Sequence, residues 1–490
     1  MHGEESSVEL SLGMLIRRLV ILLAISASIG SSAYFSEVLS GLQSVSCSVF
    51  LSIILGTLFF WNFRLAIAFI GLAVLIFTKS LTEESFVTSS ELPVILFLVG
   101  MMIIVGALKD LGFFTWIVQL IVSMPNINGK KFIFITSVAS ALLACAVDEV
   151  TSIIFITTLI FQVCNKLKLN PTPYIIICVL CTNIGSAGTM MGNPVGILIG
   201  SKGGLSFGDF MLWSFPVMIV SLLATTAITM WYFRKDLRQF DVRLKERLSR
   251  NLSLIPPVKV PYHKGLILIS VTILFIACHQ LLEQLFGLKH NSVLLIAPLV
   301  PAGFVMIMKR DRARYYLERE VDWWTLIFFM LLFAAAGSLK HTEVTVRFAS
   351  YFTEYCGNSP SILVPVILAV SAVGSAFVDN VIFVAAFCPV IEELSTTVNS
   401  MPLWWALLFG ACFGGNITMI GSTANIVALG MLEKRSHAHV KFWNWLKIGL
   451  ASSIIACTIA WLAITFLSPY MPNKQHRKNV KTQAIEEMHK

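Results

Sequence analysis

The chain has 490 residues, 56% of them hydrophobic and only 13% charged, with a mean hydropathy of +0.80 and a net charge of +9. A soluble domain carries about 25% charged residues, so this composition cannot build a water-facing surface, and a polytopic membrane protein is the class that remains. The basic residues lie between apolar runs, which argues against a nucleic-acid partner and for topology and contact with anionic lipid headgroups.

In chain order, the apolar runs predict a first span over 19–36, preceded by Arg17-Arg18. It lacks a small-residue cleavage site, so it reads as a retained span and not a signal peptide. Further spans follow over roughly 45–62, 64–79, 92–109, 174–200, 210–233, 265–286, 292–308, 323–340, 403–430 and 445–468. That is about eleven helices on the rule that ~20 apolar residues cross a bilayer. Lipid cannot satisfy backbone polar groups, so the spanning parts must be helical and the fold class is all-α. Stretches 113–125 and 345–356 are too short to span and are expected to lie along the interface. The polar segments 80–91, 234–264 and 309–320 read as loops, and the ten scattered cysteines read as small buried hydrophobes.

Two apolar runs, 132–164 and 360–392, do not fit as simple spans. Each is broken in the middle by a pair that carries an acid, Asp148-Glu149 in the first and Asp379-Asn380 in the second. Both read as re-entrant hairpins with the acid at the tip, since irregular backbone at membrane depth must be buried in protein or face a wet cavity. The tips are 231 residues apart, as are Leu108-Lys109 and Leu339-Lys340, so the unit is duplicated.

The duplication divides the chain into an N-terminal segment with the first span (1–44), a first repeat (45–233), a basic linker (234–264), a second repeat (265–468) and a polar tail (469–490). Loop charge gives the orientation. The linker and loop 309–320 are basic, whereas loop 80–91, the first-copy partner of 309–320, is acidic. Loops 126–131 and 165–170 carry lysines and their second-copy partners near 357–360 and 391–402 carry none. The copies are therefore expected to insert with opposite polarity, with a binding site at the repeat interface near mid-membrane. The N-terminus is placed in the cytoplasm of a cell-membrane protein. An odd span count then puts the C-terminus outside, which the basic tail after 472 contradicts.

A second pair of motifs follows the hairpins: Asn183-Ile184-Gly185-Ser186, then Thr189-Met190-Met191-Gly192-Asn193-Pro194, and Gly414-Gly415-Asn416-Ile417-Thr418-Met419-Ile420-Gly421-Ser422-Thr423-Ala424-Asn425. Gly, Ser, Thr, Asn and Pro at this density break a membrane helix, and a broken helix offers free carbonyls and N–H groups to ions. The candidate ion-binding set is Asp148, Glu149, Thr151, Asn183, Ser186, Thr189 and Asn193 from the first copy. The second copy adds Asp379, Asn380, Asn416, Thr418, Ser422 and Asn425.

Hard oxygen ligands suit Na⁺, with Asp148, Asn183, Asp379 and Asn416 as candidate ligands. Close carboxylates in a dry setting cannot all be ionised, and a cation that replaces the shared proton relieves the repulsion. The cargo is thus a small inorganic ion, with Na⁺ and H⁺ as transported or coupling ions and no cofactor. The bland reading of each acid is a helix N-cap or a salt bridge to Lys109 or Lys340, themselves readable as snorkelling span ends. His279 and Glu283, at i and i+4, read as a solvated helix end before a metal pair, and His437 and His439 as water-facing. Thiol chemistry at Cys145 and Cys412 is not expected.

These motifs resemble the ion transporter superfamily of arsenite permeases, NhaD-type sodium/proton antiporters, the melanosomal P protein and the dicarboxylate/sodium symporters. The resemblance spans roughly 45–468 and is most specific at Gly414–Asn425. The first copy departs from that pattern at Ser186, Asn193 and Gly196, where Gly, Asp and Asn are usual. The resemblance implies two inverted repeats, each with a hairpin and a broken helix, and often a homodimer moving by an elevator-like shift. Acids at the tips, where the dicarboxylate symporters carry uncharged residues, favour a cation, so sodium/proton antiport is the expected activity and an arsenite or other anion permease the alternative. An intramembrane aspartyl protease built on Asp148 and Asp379 is the reading outside transport; the repeat and the broken helices argue against it. No GxxxxGK[ST] motif is present, so the driving energy comes from a gradient or a separate subunit.

Overall fold

The structure, a computed structural model, describes residues 12–60, 63–124, 127–249, 261–288, 292–357, 359–436 and 438–472. Positions 1–11, linker positions 250–260, His437 and tail positions 473–490 lie outside the described residues.

The described residues are helical, without strands. Positions 12–249 hold α1 (Leu12–Phe35), α2 (Gly41–Phe59), α3 (Arg64–Phe77), α4 (Glu83–Ser89), α5 (Leu92–Asp110), α6 (Phe113–Val122), α7 (Gly129–Ala146), α8 (Glu149–Leu167), α9 (Thr172–Ser186), α10 (Pro194–Gly203), α11 (Phe207–Tyr232) and α12 (Arg234–Leu248). The rest holds α13 (His263–Ala277), α14 (His279–Phe286), α15 (Ser292–Met308), α16 (Trp323–His341), α17 (Val344–Cys356), α18 (Pro360–Phe377), α19 (Asn380–Leu394), α20 (Met401–Gly414), α21 (Thr423–Ser436) and α22 (Phe442–Leu467). This is the all-α polytopic class the composition demanded.

The count of spans is lower than eleven. Among the described residues eight helices are long and apolar enough to cross a membrane, or ten if each bent pair is one span. Four expected spans, 45–62, 64–79, 174–200 and 403–430, form helices too short to cross, whereas three of the eight are the hairpin arms α7, α8 and α18, which were not expected as simple spans. Runs 174–200 and 403–430 are each divided into two pieces, none longer than 15 residues. Segment 265–286 bends by 56° between α13 and α14. All three expected loops also contain helix: Arg310–Glu320 is helical within 309–320, and α4 lies in 80–91, where the Thr82 hydroxyl accepts from the Ser85 N–H at 3.1 Å and caps its start. α12 occupies the first half of the linker, because Leu237, Phe240 and Leu244 form a buried apolar stripe at helical spacing.

The chain forms two compact units. One comprises positions 1–92 and 323–351, the other 93–322 and 352–490. In the first, Arg64 is 5% exposed; its guanidinium donates to Thr325 Oγ1 at 2.9 Å and lies 5.0 Å from the Phe328 ring centroid. The second unit holds both hairpins and both broken helices.

In that second unit, α7 and α8 meet at Val147-Asp148, and α18 and α19 meet at Val378-Asp379. Each Asp caps the helix that follows. Asp148 Oδ1 accepts from the Thr151 N–H at 2.7 Å, and Asp379 Oδ1 from the Val381 N–H at 3.0 Å. The first hairpin returns to the side it came from: the Gly129 N–H at its start donates to Asp241 of α12 at 2.5 Å, and the Lys166 carbonyl at its end accepts from Arg247 at 3.2 Å. α9 lies on α7, and α20 on α18, at glycines. A Cβ on Gly185 would run into the backbone of Ala141, and one on Gly414 into the backbone of Ala372.

Candidate functional site

The breaks between α9 and α10 and between α20 and α21 are built alike, which is why they come at matching places. In the first, Thr189 Oγ1 donates to the Cys145 carbonyl at 2.5 Å and accepts from the Met191 N–H at 3.3 Å. In the second, Thr418 Oγ1 donates to the Ala376 carbonyl and accepts from the Ile420 N–H at 3.3 Å. Each threonine thus ties an unwound loop to the last turn of its own hairpin's first helix. Asn193 and Ser422 then restart the helix, accepting from the Gly196 N–H at 2.9 Å and the Ala424 N–H at 3.2 Å.

The two loops bring side chains of both copies into one buried network. The Asn183 amide donates to Asn416 Oδ1 at 2.7 Å and to Asn425 Oδ1 at 2.8 Å, and Asn183 Oδ1 accepts from Ser422 Oγ at 3.0 Å. Asn193 Nδ2 donates to Ser186 Oγ at 3.0 Å. The Glu149 carboxylate joins the copies: Oε2 accepts from Asn193 at 3.4 Å and Oε1 from Ser422 at 3.4 Å. Glu149 is 3% exposed and the amides around it 1% or less. Its side-chain partners are neutral, and among the described residues no Lys or Arg pairs with it. The charges that act on it are those of Asp379 and then Asp148.

Of the expected site residues, Glu149, Asn183, Ser186, Asn193, Asn416, Ser422 and Asn425 are joined by these bonds. Asp379 is buried and accepts from Thr423 Oγ1 at 2.6 Å. Asn380 Oδ1 is buried without a hydrogen-bond partner among the described residues. Asp148 is half-buried and joins none of the network bonds; Thr151 meets it through its N–H and its side chain. Thr189 and Thr418 spend their hydroxyls on the loops. Sequence reasoning missed three contributors. Thr423 lies inside the quoted motif, beside residues that were chosen. Cys412, whose Sγ is 3.2 Å from Asn193 Nδ2, and Trp445, whose indole N–H donates to the Asn416 carbonyl at 3.1 Å, carry no local signal.

Lys109 pairs with Glu320 at 3.2 Å, not with a tip acid, and is more than half exposed, as a snorkelling end requires. The expectation of a solvated end at His279 and Glu283 is overturned, since both are buried. His279 Nδ1 is 2.8 Å from the Ile276 carbonyl, and Glu283 Oε1 accepts from the Val293 N–H at 3.0 Å. His439 is exposed, 3.5 Å from Glu433. Cys178 and Cys181, spaced CxxC, are buried free thiols, and no group of three or more His, Cys, Asp or Glu among the described residues could hold a metal.

Two hairpins and two broken helices converging on one buried polar network, with eight to ten candidate spans among the described residues, define a multi-pass membrane transporter. Residues 53–410 match the model of the family described as Citrate transporter (CitMHS), and the chain belongs to that family. It is 30% identical over 417 residues to the 46 kDa membrane protein of Mycobacterium leprae, covering 82% of this chain and 94% of that protein. It is 32% identical over 381 residues to an uncharacterized transporter of Mycobacterium tuberculosis, covering 75% and 86%. To the P protein of Homo sapiens it is 25% identical over 442 residues, covering 74% of this chain but 52% of that protein, so it spans about half of P protein's length. The solved YdaH transporter of Alcanivorax borkumensis shares the fold, with a TM-score of 0.53 and 14% identity over 82% of this chain and 89% of the other. With a transporter family established, the protease reading falls.

Proposed function

We propose that the protein exchanges Na⁺, or a comparable small cation, for protons across a cell membrane, with Glu149 as the group both ions share and Asp379 beside it. The observation that carries this reading is Glu149 itself: a buried carboxylate held by a serine and an asparagine at 3.4 Å each, with no basic partner among the described residues. An isolated buried charge costs several kcal/mol or more, so a proton or a cation must neutralise it. If each displaces the other, their fluxes are coupled. The oxygens of Asn183, Asn416 and Ser422 are hard donors that suit a cation stripped of water, and Asp379 supplies the second charge.

Carriage of an anion is the second reading, and the family's description as citrate transporters favours it. A site with two carboxylates repels a tricarboxylate, which is why cation exchange is preferred. The test is dye-monitored transport in proteoliposomes bearing a pH gradient, with Na⁺, Li⁺, K⁺, arsenite and citrate offered in turn. Collapse of the gradient by Na⁺, lost in Glu149→Gln and in Asp379→Asn, is the expected result. Citrate or arsenite flux that needs neither Na⁺ nor these carboxylates overturns the proposal.

A further inference from the structure

The linker helix α12 has two faces with different tasks. Its apolar stripe is spent on the protein. Phe240 stacks on Phe132 of α7 with ring centroids 5.2 Å apart and meets Tyr174 of α9 edge-on at 5.6 Å. The Tyr174 hydroxyl donates to the Asp236 carbonyl at 2.9 Å. Asp241 accepts from the Gly129 N–H, and Gly129 must be glycine there, because a Cβ would lie 2.9 Å from the Leu237 carbonyl. Arg247 closes the other end of the hairpin at the Lys166 carbonyl. α12 is thus fastened to both ends of the hairpin that carries Glu149.

Its other face is basic and exposed: Arg234, Lys235, Arg238 and Lys245, with Lys130 and Lys166 of the hairpin ends beside it. The helix begins directly where the candidate span Phe207–Tyr232 stops. Trp231 and Tyr232 at that junction are exposed, and the Arg234 guanidinium lies 5.4 Å from the Trp231 ring centroid. Exposed Trp and Tyr at the end of a span mark headgroup depth. A basic helix at that depth meets lipid phosphates, to which guanidinium groups bind bidentately. An acidic protein partner fits the charge but not the aromatic pair.

We propose that the exposed face of α12 binds anionic phospholipid headgroups and, through its fastening to Gly129, Phe132 and Lys166, holds the first hairpin in place. The hairpin's importance to transport rests on the reading above, but the docking itself does not.

Hydrogen exchange of the full chain in nanodiscs tests this without measuring flux, so loss of the ion-exchange reading leaves the result interpretable. Discs of phosphatidylcholine alone are compared with discs that also hold phosphatidylglycerol. Exchange over 234–248 and over 129–135 is expected to slow by about threefold or more in the anionic discs, and the effect to shrink in high salt as charges are screened. The surface variant Arg234→Gln/Lys235→Gln/Arg238→Gln/Lys245→Gln is expected to lose the difference while matching the parent in neutral discs. Asp241→Ala is expected to keep the slowing on 234–248 and lose it on 129–135. Equal exchange in the two lipids, slowing that survives in the quadruple variant, or slowing that never reaches 129–135 overturns the proposal. Poly-glutamate that protects 234–248 in neutral discs when anionic lipid does not would overturn it in favour of an acidic protein.

Discussion

Glu149 and Asp148 are neighbours in sequence with different surroundings. Asp148 is half-buried and spends an oxygen as an N-cap, a task asparagine performs about equally well. Glu149 is buried and joins the copies through Asn193 and Ser422. Asp148→Asn is therefore expected to retain folding and a large part of the flux, whereas Glu149→Gln should lower flux by tenfold or more; initial rates in proteoliposomes at equal protein loading separate the two. Asn183 supplies the donors for Asn416 and Asn425 and the acceptor for Ser422. Asn183→Ala strands those buried groups at a cost of about 1–3 kcal/mol, read as a lower melting temperature in detergent. Combined with Ser422→Ala the loss should be smaller than the sum of the two, because both substitutions break one shared bond. The sequence marked these residues by type. Their ranking depended on which side chains the loops turn inward, and nothing in the local pattern states that.

At the scale of the element, the broken helices were legible and their internal geometry was not. A run of Gly, Asn, Ser and Pro inside an apolar segment cannot continue as helix, so breaks near 187–193 and 415–422 followed from composition alone. What holds each break is a threonine reaching back to the preceding hairpin, Thr189 to Cys145 and Thr418 to Ala376, 44 and 42 residues away. The crossing glycines serve the same end. Gly185→Ala or Gly414→Ala would force α9 off α7 or α20 off α18, since the obstructing atoms are backbone and cannot turn aside. Overpacking of this kind costs about 1–3 kcal/mol. Both variants are expected to melt at lower temperature, while Gly430→Ala, where the added Cβ meets open space, should not.

For the whole molecule, the lysine asymmetry of the hairpin loops makes a topological prediction. In a cysteine-free background, Lys131→Cys and Lys166→Cys should react with an impermeant thiol reagent from one side of the membrane, and Ser359→Cys and Thr396→Cys from the other. Reaction of all four from one side would remove the inverted repeat. The matching of copies is also unequal in chemistry. At equivalent places Glu149 faces Asn380, Asn183 faces Cys412, Ala187 faces Asn416 and Gly196 faces Asn425. Each copy brings a buried carboxylate, Glu149 or Asp379, and two of the network's amides, Asn183 and Asn193 or Asn416 and Asn425, so neither half holds a complete site.

Hydropathy and lipid chemistry determined the class from the sequence by itself. Apolar runs of this length must be helices, acids placed within them must be functional or satisfied, and a 231-residue echo must be a duplication. The tertiary structure alone decided that Glu149 joins the copies, that the polar linker holds a helix fastened to the first hairpin, and that His279 and Glu283 are buried. The first two depend on contacts between residues far apart in the chain, the third on how successive helices fold back on one another. Such contacts are set by the packing of whole helices, which leaves no trace in the local order of residues.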